Sequence, residues 1–141
     1  KMKTVLVRFM TRREEDMSDL ILPELSAGHH ELCFAAIRYF AVHINREAEP
    51  VLLKILQEDG DTAVAAAQTL ANYPDETVKQ ALKQALRSRH WDVRRNSAES
   101  LMKMKLSKEE ISQLCSNEDR YAREMFIYVL ESRGKTGCWE Q

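Results

Sequence analysis

In the stretch RHWDVRRNSAESL, residues 89–101, one Trp, one Asp and two adjacent Arg stand among apolar and small residues. Arginine is a permanent cation whose planar fork of donors matches a carboxylate or a phosphate. Arg94 and Arg95 therefore offer two chemistries, an ion pair that joins parts of the molecule or a contact with an anionic partner. On a helix the two side chains leave about 100° apart. Arg95 is expected to be the exposed one and the best single candidate for direct contact. Trp91 either packs inside or stays outside as a binding anchor, where Trp is enriched. His29, His30 and Cys33 are the only cluster of metal-ligand types, and His29 and Cys33 could share a helix face. No second ligand pair follows, as a tetrahedral site requires, so a helix start beside a core Cys is the reading they support. Cys115, next to Leu114, is expected in the core as well. No Gly-rich phosphate loop, GxSxG or HExxH occurs. Glu109-Glu110 and Glu14-Glu15-Asp16 are acids of helix first turns, where the dipole favours them. The expectation is a non-enzyme with no catalytic residue, metal or cofactor.

The elements that position these residues are helices. The chain has 141 residues, 44% hydrophobic and 30% charged, with only four Gly and three Pro. Its abundant Ala, Leu, Glu, Lys, Arg and Gln are the good helix formers. No run of about 18 apolar residues could span a membrane. The opening KMKTVLVRFMTRREE is too short and too interrupted in its apolar part for a signal peptide. The chain starts on Lys1 rather than Met, as expected of a fragment, so an upstream anchor or targeting segment stays open. Val5, Leu6, Phe9 and Met10 at helical spacing make residues 1–15 an N-terminal helix or the remnant of a preceding repeat. Three Cys without CxxC spacing argue against a disulfide framework or a zinc site. Reduced thiols in a cytoplasmic setting follow.

The order of the helices comes from internal repetition. DTAVAAAQTL (61–70) aligns with DVRRNSAESL (92–101) at an offset of 31, which places Ala67 on Ala98 and Leu70 on Leu101. One step back, HELCFAAIRY (30–39) puts Ala36 and Tyr39 on the same positions. One step forward at an offset of 29, YAREMFIYVL (121–130) puts Arg123 on Arg94 and Leu130 on Leu101. Each copy follows a second apolar pattern: LILPEL, VLLKIL, VKQALKQAL and ISQL. Breaks fall at Gly28, Glu49-Pro50, Asp59-Gly60-Asp61, Tyr73-Pro74-Asp75 and Ser116-Asn117, and Ser107 with Glu110 reads as a capping box. The unit is a helical hairpin of about thirty residues, which cannot bury both apolar faces alone and must stack on neighbours. An all-α solenoid over 16–134 follows, with hairpins at about 16–45, 49–73, 75–104 and 107–134. In the tail, 135–141, Cys138 and Trp139 either dock as a cap on the last repeat or stay disordered, and docking is favoured because an end repeat otherwise exposes its apolar face.

WDVRRNSAESL, with weaker echoes in DTAVAAAQTL and EDRYAREMFIYVL, resembles the second helix of HEAT-like repeats in their bacterial form. That form reads Asp, Val-Arg, a small residue, Ala and Leu. The resemblance covers roughly 16–134. The repeat around 30–45 departs from it by lacking the Asp-Val-Arg start, and Asp61 by having no Arg after it. It implies a right-handed α-α superhelix that binds a protein partner through a concave groove lined by the second helices. Arg38, Trp91, Arg94, Arg95 and Arg123 are then the candidate partner-binding residues. It also implies an ion pair from Arg94 to Asp119 or Glu118 across neighbouring repeats, with Arg123 the equivalent residue one repeat on. Of the two readings of Trp91, packing between repeats is the more ordinary for an aromatic at such a position. The same repeat type occurs in phycobilin lyases, so a bilin-lyase-like accessory role is a minor enzymatic reading.

Charge supplies a different alternative. Residues 79–108 hold nine basic residues against Asp92 and Glu99, whereas 16–73 hold nine acidic residues against three basic ones. Such asymmetry fits nucleic-acid backbone binding through 79–108. Solvated outer helix faces account for it equally, and a net charge of −1 weakens the nucleic-acid reading.

Overall fold

The computed structural model describes residues 2–11, 17–26, 28–58 and 60–133, and every regular element among them is a helix. The tail, with Cys138 and Trp139, lies outside the described residues, as do the acids Glu14-Glu15-Asp16 and the side chains of Phe9 and Met10. The chain divides into two compact units, Lys1–Tyr73 and Pro74–Gln141.

The first unit contains α1 (Met2–Thr11), α2 (Ser18–Ile21, continued by a 3-10 turn, Leu22–Ser26), α3 (His30–Val42), α4 (Glu49–Leu56) and α5 (Asp61–Thr69, tightened into a 3-10 turn, Leu70–Asn72). Helix α3 is its centre, with α1 and α5 both packed on it and α4 packed on α5. Buried Ala35 and Ala36 on α3 and Ala63, Ala65, Ala66 and Ala67 on α5 keep those helices slim, so neighbours approach closely. Gly60 opens α5 at φ 106°, a backbone conformation that L side chains rarely adopt. Pro50 sits in the first turn of α4, where its missing N–H removes no helical bond. At the C-terminal end of α3 the last carbonyls lack intrahelical partners. Tyr73 donates its hydroxyl to the Phe40 carbonyl (2.9 Å), and Asn72 donates to the Ala41 carbonyl (3.1 Å). The Tyr73 oxygen also accepts the Asn45 N–H (3.2 Å), so one buried phenol ties both ends of a loop.

The second unit contains α6 (Glu76–Ala85), α7 (Trp91–Lys103), α8 (Lys108–Cys115) and α9 (Arg120–Ser132). Helix α6 pairs with α7 and α8 with α9, and α7 lies alongside α9. Asp75 accepts the Val78 N–H (2.9 Å) and Asp119 the Ala122 N–H (3.0 Å), capping α6 and α9. The capping box at α8 is complete: Glu110 N–H to Ser107 Oγ (3.1 Å) and Ser107 N–H to Glu110 Oε1 (3.2 Å). Each such cap contributes about 1 kcal/mol.

The repeat register is visible in the core. Tyr39, Leu70, Leu101 and Leu130, aligned in sequence, are each 0% exposed, as are Ala36, Ala67 and Ala98. Two expectations need correction. Cys33 and Cys115 are only partly covered rather than core residues. Partial burial still pushes both thiols above their ordinary range, and Cys33 donates to the Leu25 carbonyl (3.3 Å).

Candidate functional site

The basic residues of α7 and α9 are placed by the loops that precede those helices. Ser88 Oγ accepts the His90 N–H (3.1 Å), and Asn117 Oδ1 accepts the Asp119 N–H (2.9 Å), so both loops make the same two-residue turn. Their carbonyls then take an arginine each. Arg94 Nη1 donates to Ser88 O (2.8 Å), and Arg123 Nη1 donates to Asn117 O (2.8 Å). Both acceptors lie just beyond the C-terminal end of the preceding helix, where the helix dipole favours a cation. The expected ion pair from Arg94 to Asp119 or Glu118 is not made. Asp119 spends its carboxylate on capping α9, and Arg94 reaches back within its own hairpin instead.

Arg94 nevertheless touches the next repeat. Its guanidinium lies over the Tyr121 ring of α9, 5.1 Å from the centroid, and Arg95 lies 5.4 Å over the Trp91 ring on its own helix. Arg95 is exposed, as its place on the helix predicts. Neither guanidinium forms an ion pair among the described residues. Trp91 is not buried between repeats: it is 48% exposed. With Arg94, Tyr121, Glu124, Met125 and Tyr128 it lines a groove of about 520 Å³. Tyr121 and Tyr128 are 64% and 54% exposed, so three aromatic rings face solvent on one short patch. Inside α7, Arg94 Nε and Ser97 Oγ are buried without a hydrogen-bond partner.

The remaining candidate, Arg38, belongs to the first unit. It is exposed, lies 5.3 Å over the Phe34 ring, and borders a smaller cavity of about 230 Å³ with Ala41, Val42, Ala65, Gln68 and Thr69. His29 stands at the N-cap of α3 and His30 begins that helix. Among the described residues no group of three or more His, Cys, Asp or Glu could hold a metal ion.

Several charges of the second unit are internally matched. Lys79 and Lys83 of α6 both reach Glu110 of α8, at 3.3 and 3.0 Å. The Ser107 N–H and these two ammonium groups hold the Glu110 carboxyl down at about 2. Arg120 meets Glu124 (2.9 Å), and Arg133 at the end of α9 pairs with Glu99 of α7. Two of the cations in 79–108, Lys79 and Lys83, thus share one carboxylate, and Lys79 has a second, Glu76, at 3.7 Å.

Tyr121, Glu124, Met125 and Tyr128 were not legible as site residues. Tyr121, Met125 and Tyr128 recur at i, i+4 and i+7, the spacing of an apolar core face, and only the packing separates buried Met125 from the exposed tyrosines.

Paired helices stacked through their second members define an all-α solenoid. A family model described as HEAT repeats matches residues 18–102 and 49–131, and the chain belongs to that family. HEAT repeats are in general non-catalytic scaffolds for protein interaction. No curated protein and no solved structure matches the chain. Among the described residues no helix is long and apolar enough to cross a membrane.

Proposed function

We propose that the chain is a protein-interaction module whose binding face is formed by second helices of its repeats, with the α7–α9 groove as the main contact. The observation that carries this reading is the cluster of half-exposed rings, Trp91, Tyr121 and Tyr128, beside unneutralised Arg94 and Arg95. Large rings with a polar tip and guanidinium groups are the side chains that dominate interface energetics. Trp91 and Arg95 are the principal contacts. Arg94 contributes positive charge beside the Tyr121 ring, while Arg123 acts mainly by fixing the α9 start. Arg38, exposed over Phe34, is a separate candidate contact on the first unit. The nucleic-acid alternative loses support from the matching of Lys79 and Lys83 to Glu110.

Affinity capture with the full chain and with a Trp91→Ala/Arg95→Glu variant tests this, after nuclease treatment and with circular dichroism verifying the fold. A protein retained by the wild type and lost by the folded variant supports the reading. Retention of every partner by the variant contradicts it.

A further inference from the structure

The groove also carries a statement about what kind of segment it takes, resting on the interaction reading above. A guanidinium beside an aromatic ring is a cation partly shielded from water, and the donors left free on it suit a planar acceptor. Arg95 stands over Trp91 and Arg94 over Tyr121, and of the two Arg95 has the freer donors, because Arg94 has its Nε buried and its Nη1 on the Ser88 carbonyl. The carboxylates around them do not neutralise them. Glu124, on the groove wall, is held by Arg120, and Glu99 by Arg133. Asp92, three residues before Arg95, makes no ion pair with it among the described residues. Arg94 lines the cavity with Trp91, Met125, Tyr121 and Tyr128, and Arg95 stands beside it over the Trp91 ring.

We infer that the α7–α9 groove binds an acidic peptide segment carrying a bulky apolar residue. A carboxylate would sit on the edge of Arg95, with Arg94 adding positive charge beside it, and the apolar side chain would lie against Trp91, Met125 and Tyr128. A bidentate carboxylate satisfies a guanidinium edge in a way that a neutral amide cannot. A phosphodiester backbone, with a charge at every residue, fits less well where Arg95 is the one guanidinium of the pair with its donors free.

The test is a displayed library of random twelve-residue peptides selected on the immobilised full chain, with selected peptides measured by fluorescence anisotropy. The inference expects enrichment of Asp or Glu close to Phe, Trp, Leu or Met. It also expects affinity to fall about tenfold for Arg95→Glu and for peptides with Gln in place of Glu, the loss of a charge-assisted contact. Arg95 is exposed, so its substitution leaves the fold intact, and Tyr128→Ser gives a second variant that removes only the apolar wall. Peptides without acidic bias that bind at this groove overturn the inference and leave the interaction reading standing. Absence of any selected peptide overturns the inference, as does preferential binding of a single-stranded oligonucleotide probe, which also overturns the interaction reading.

Discussion

The two units solve the same packing problem with different chemistry. In the first, α3 and α5 meet through buried alanines, and their C-terminal ends are tied by neutral donors, Asn72 and Tyr73, to carbonyls of α3. In the second, α7 and α9 meet at one end through Arg94 over Tyr121 and at the other through Arg133 and Glu99. The first seam is lined by small apolar residues, and the donors at its end, buried Tyr73 and exposed Asn72, are consumed by the fold. The second is charged, aromatic and half open, and it leaves donors and rings facing solvent. Position within the repeat makes the contrast concrete. At the offsets of the alignment, Arg94 and Arg123 fall on Leu32 and Ala63 of the first unit, both of them buried. A function that needs exposed cations and rings is therefore expected of the second unit.

The largest effects test what the units share. Leu70→Ala and Leu101→Ala remove equivalent, fully buried side chains and are each expected to cost about 2–5 kcal/mol in urea unfolding. A cost confined to one of them would mean that the repeat core is not equivalent. Tyr73→Phe tests the neutral seam. It strips the Phe40 carbonyl and the Asn45 N–H of a partner at a buried site, with an expected loss of about 1–3 kcal/mol that does not change with salt. Burial already raises the Tyr73 hydroxyl above its ordinary value.

Glu110 sharpens the contrast through pH. Its folded value of about 2 lies below the ordinary 4.5, so its contribution is complete above pH 5. As pH falls, the unfolded chain takes up the proton first, and the contribution is lost by about pH 2. Glu110→Gln keeps the capping box and loses the two lysine contacts, which is expected to cost about 1 kcal/mol at neutral pH. The wild type and variant should converge in stability as pH approaches 2, followed by thermal unfolding across that range. The smallest effect comes from Ser97, whose buried hydroxyl lacks a partner where the aligned residues of the first unit are Ala35 and Ala66. Ser97→Ala is expected to stabilise the chain by up to about 1 kcal/mol, since no hydrogen bond is lost.

Much of the fold was legible in the sequence because a repeat shows its buried positions several times over. Ala36, Ala67 and Ala98, and then Tyr39, Leu70, Leu101 and Leu130, identify the core face without any coordinates. The capping box at Ser107 and the exposure of Arg95 were equally readable, since both depend only on local helical geometry. The partner of Arg94 was not. Whether a long side chain meets the next repeat's carboxylate or its own loop's carbonyl depends on which acceptor is already engaged, and Asp119 is engaged in its cap. The exposed tyrosines of α9 were hidden for a related reason. Helical spacing identifies a face, and which face is covered depends on the neighbouring helix.

Photocrosslinking from the binding face tests the central claim most directly. A benzoylphenylalanine in place of the exposed ring at position 128, on α9, is compared with one at position 80, an exposed residue of α6 in the same unit. The account predicts polypeptide adducts from position 128 that acidic peptide competes away, and none from position 80. Adducts from position 80 alone, or nucleic acid as the crosslinked species at position 128, would contradict it.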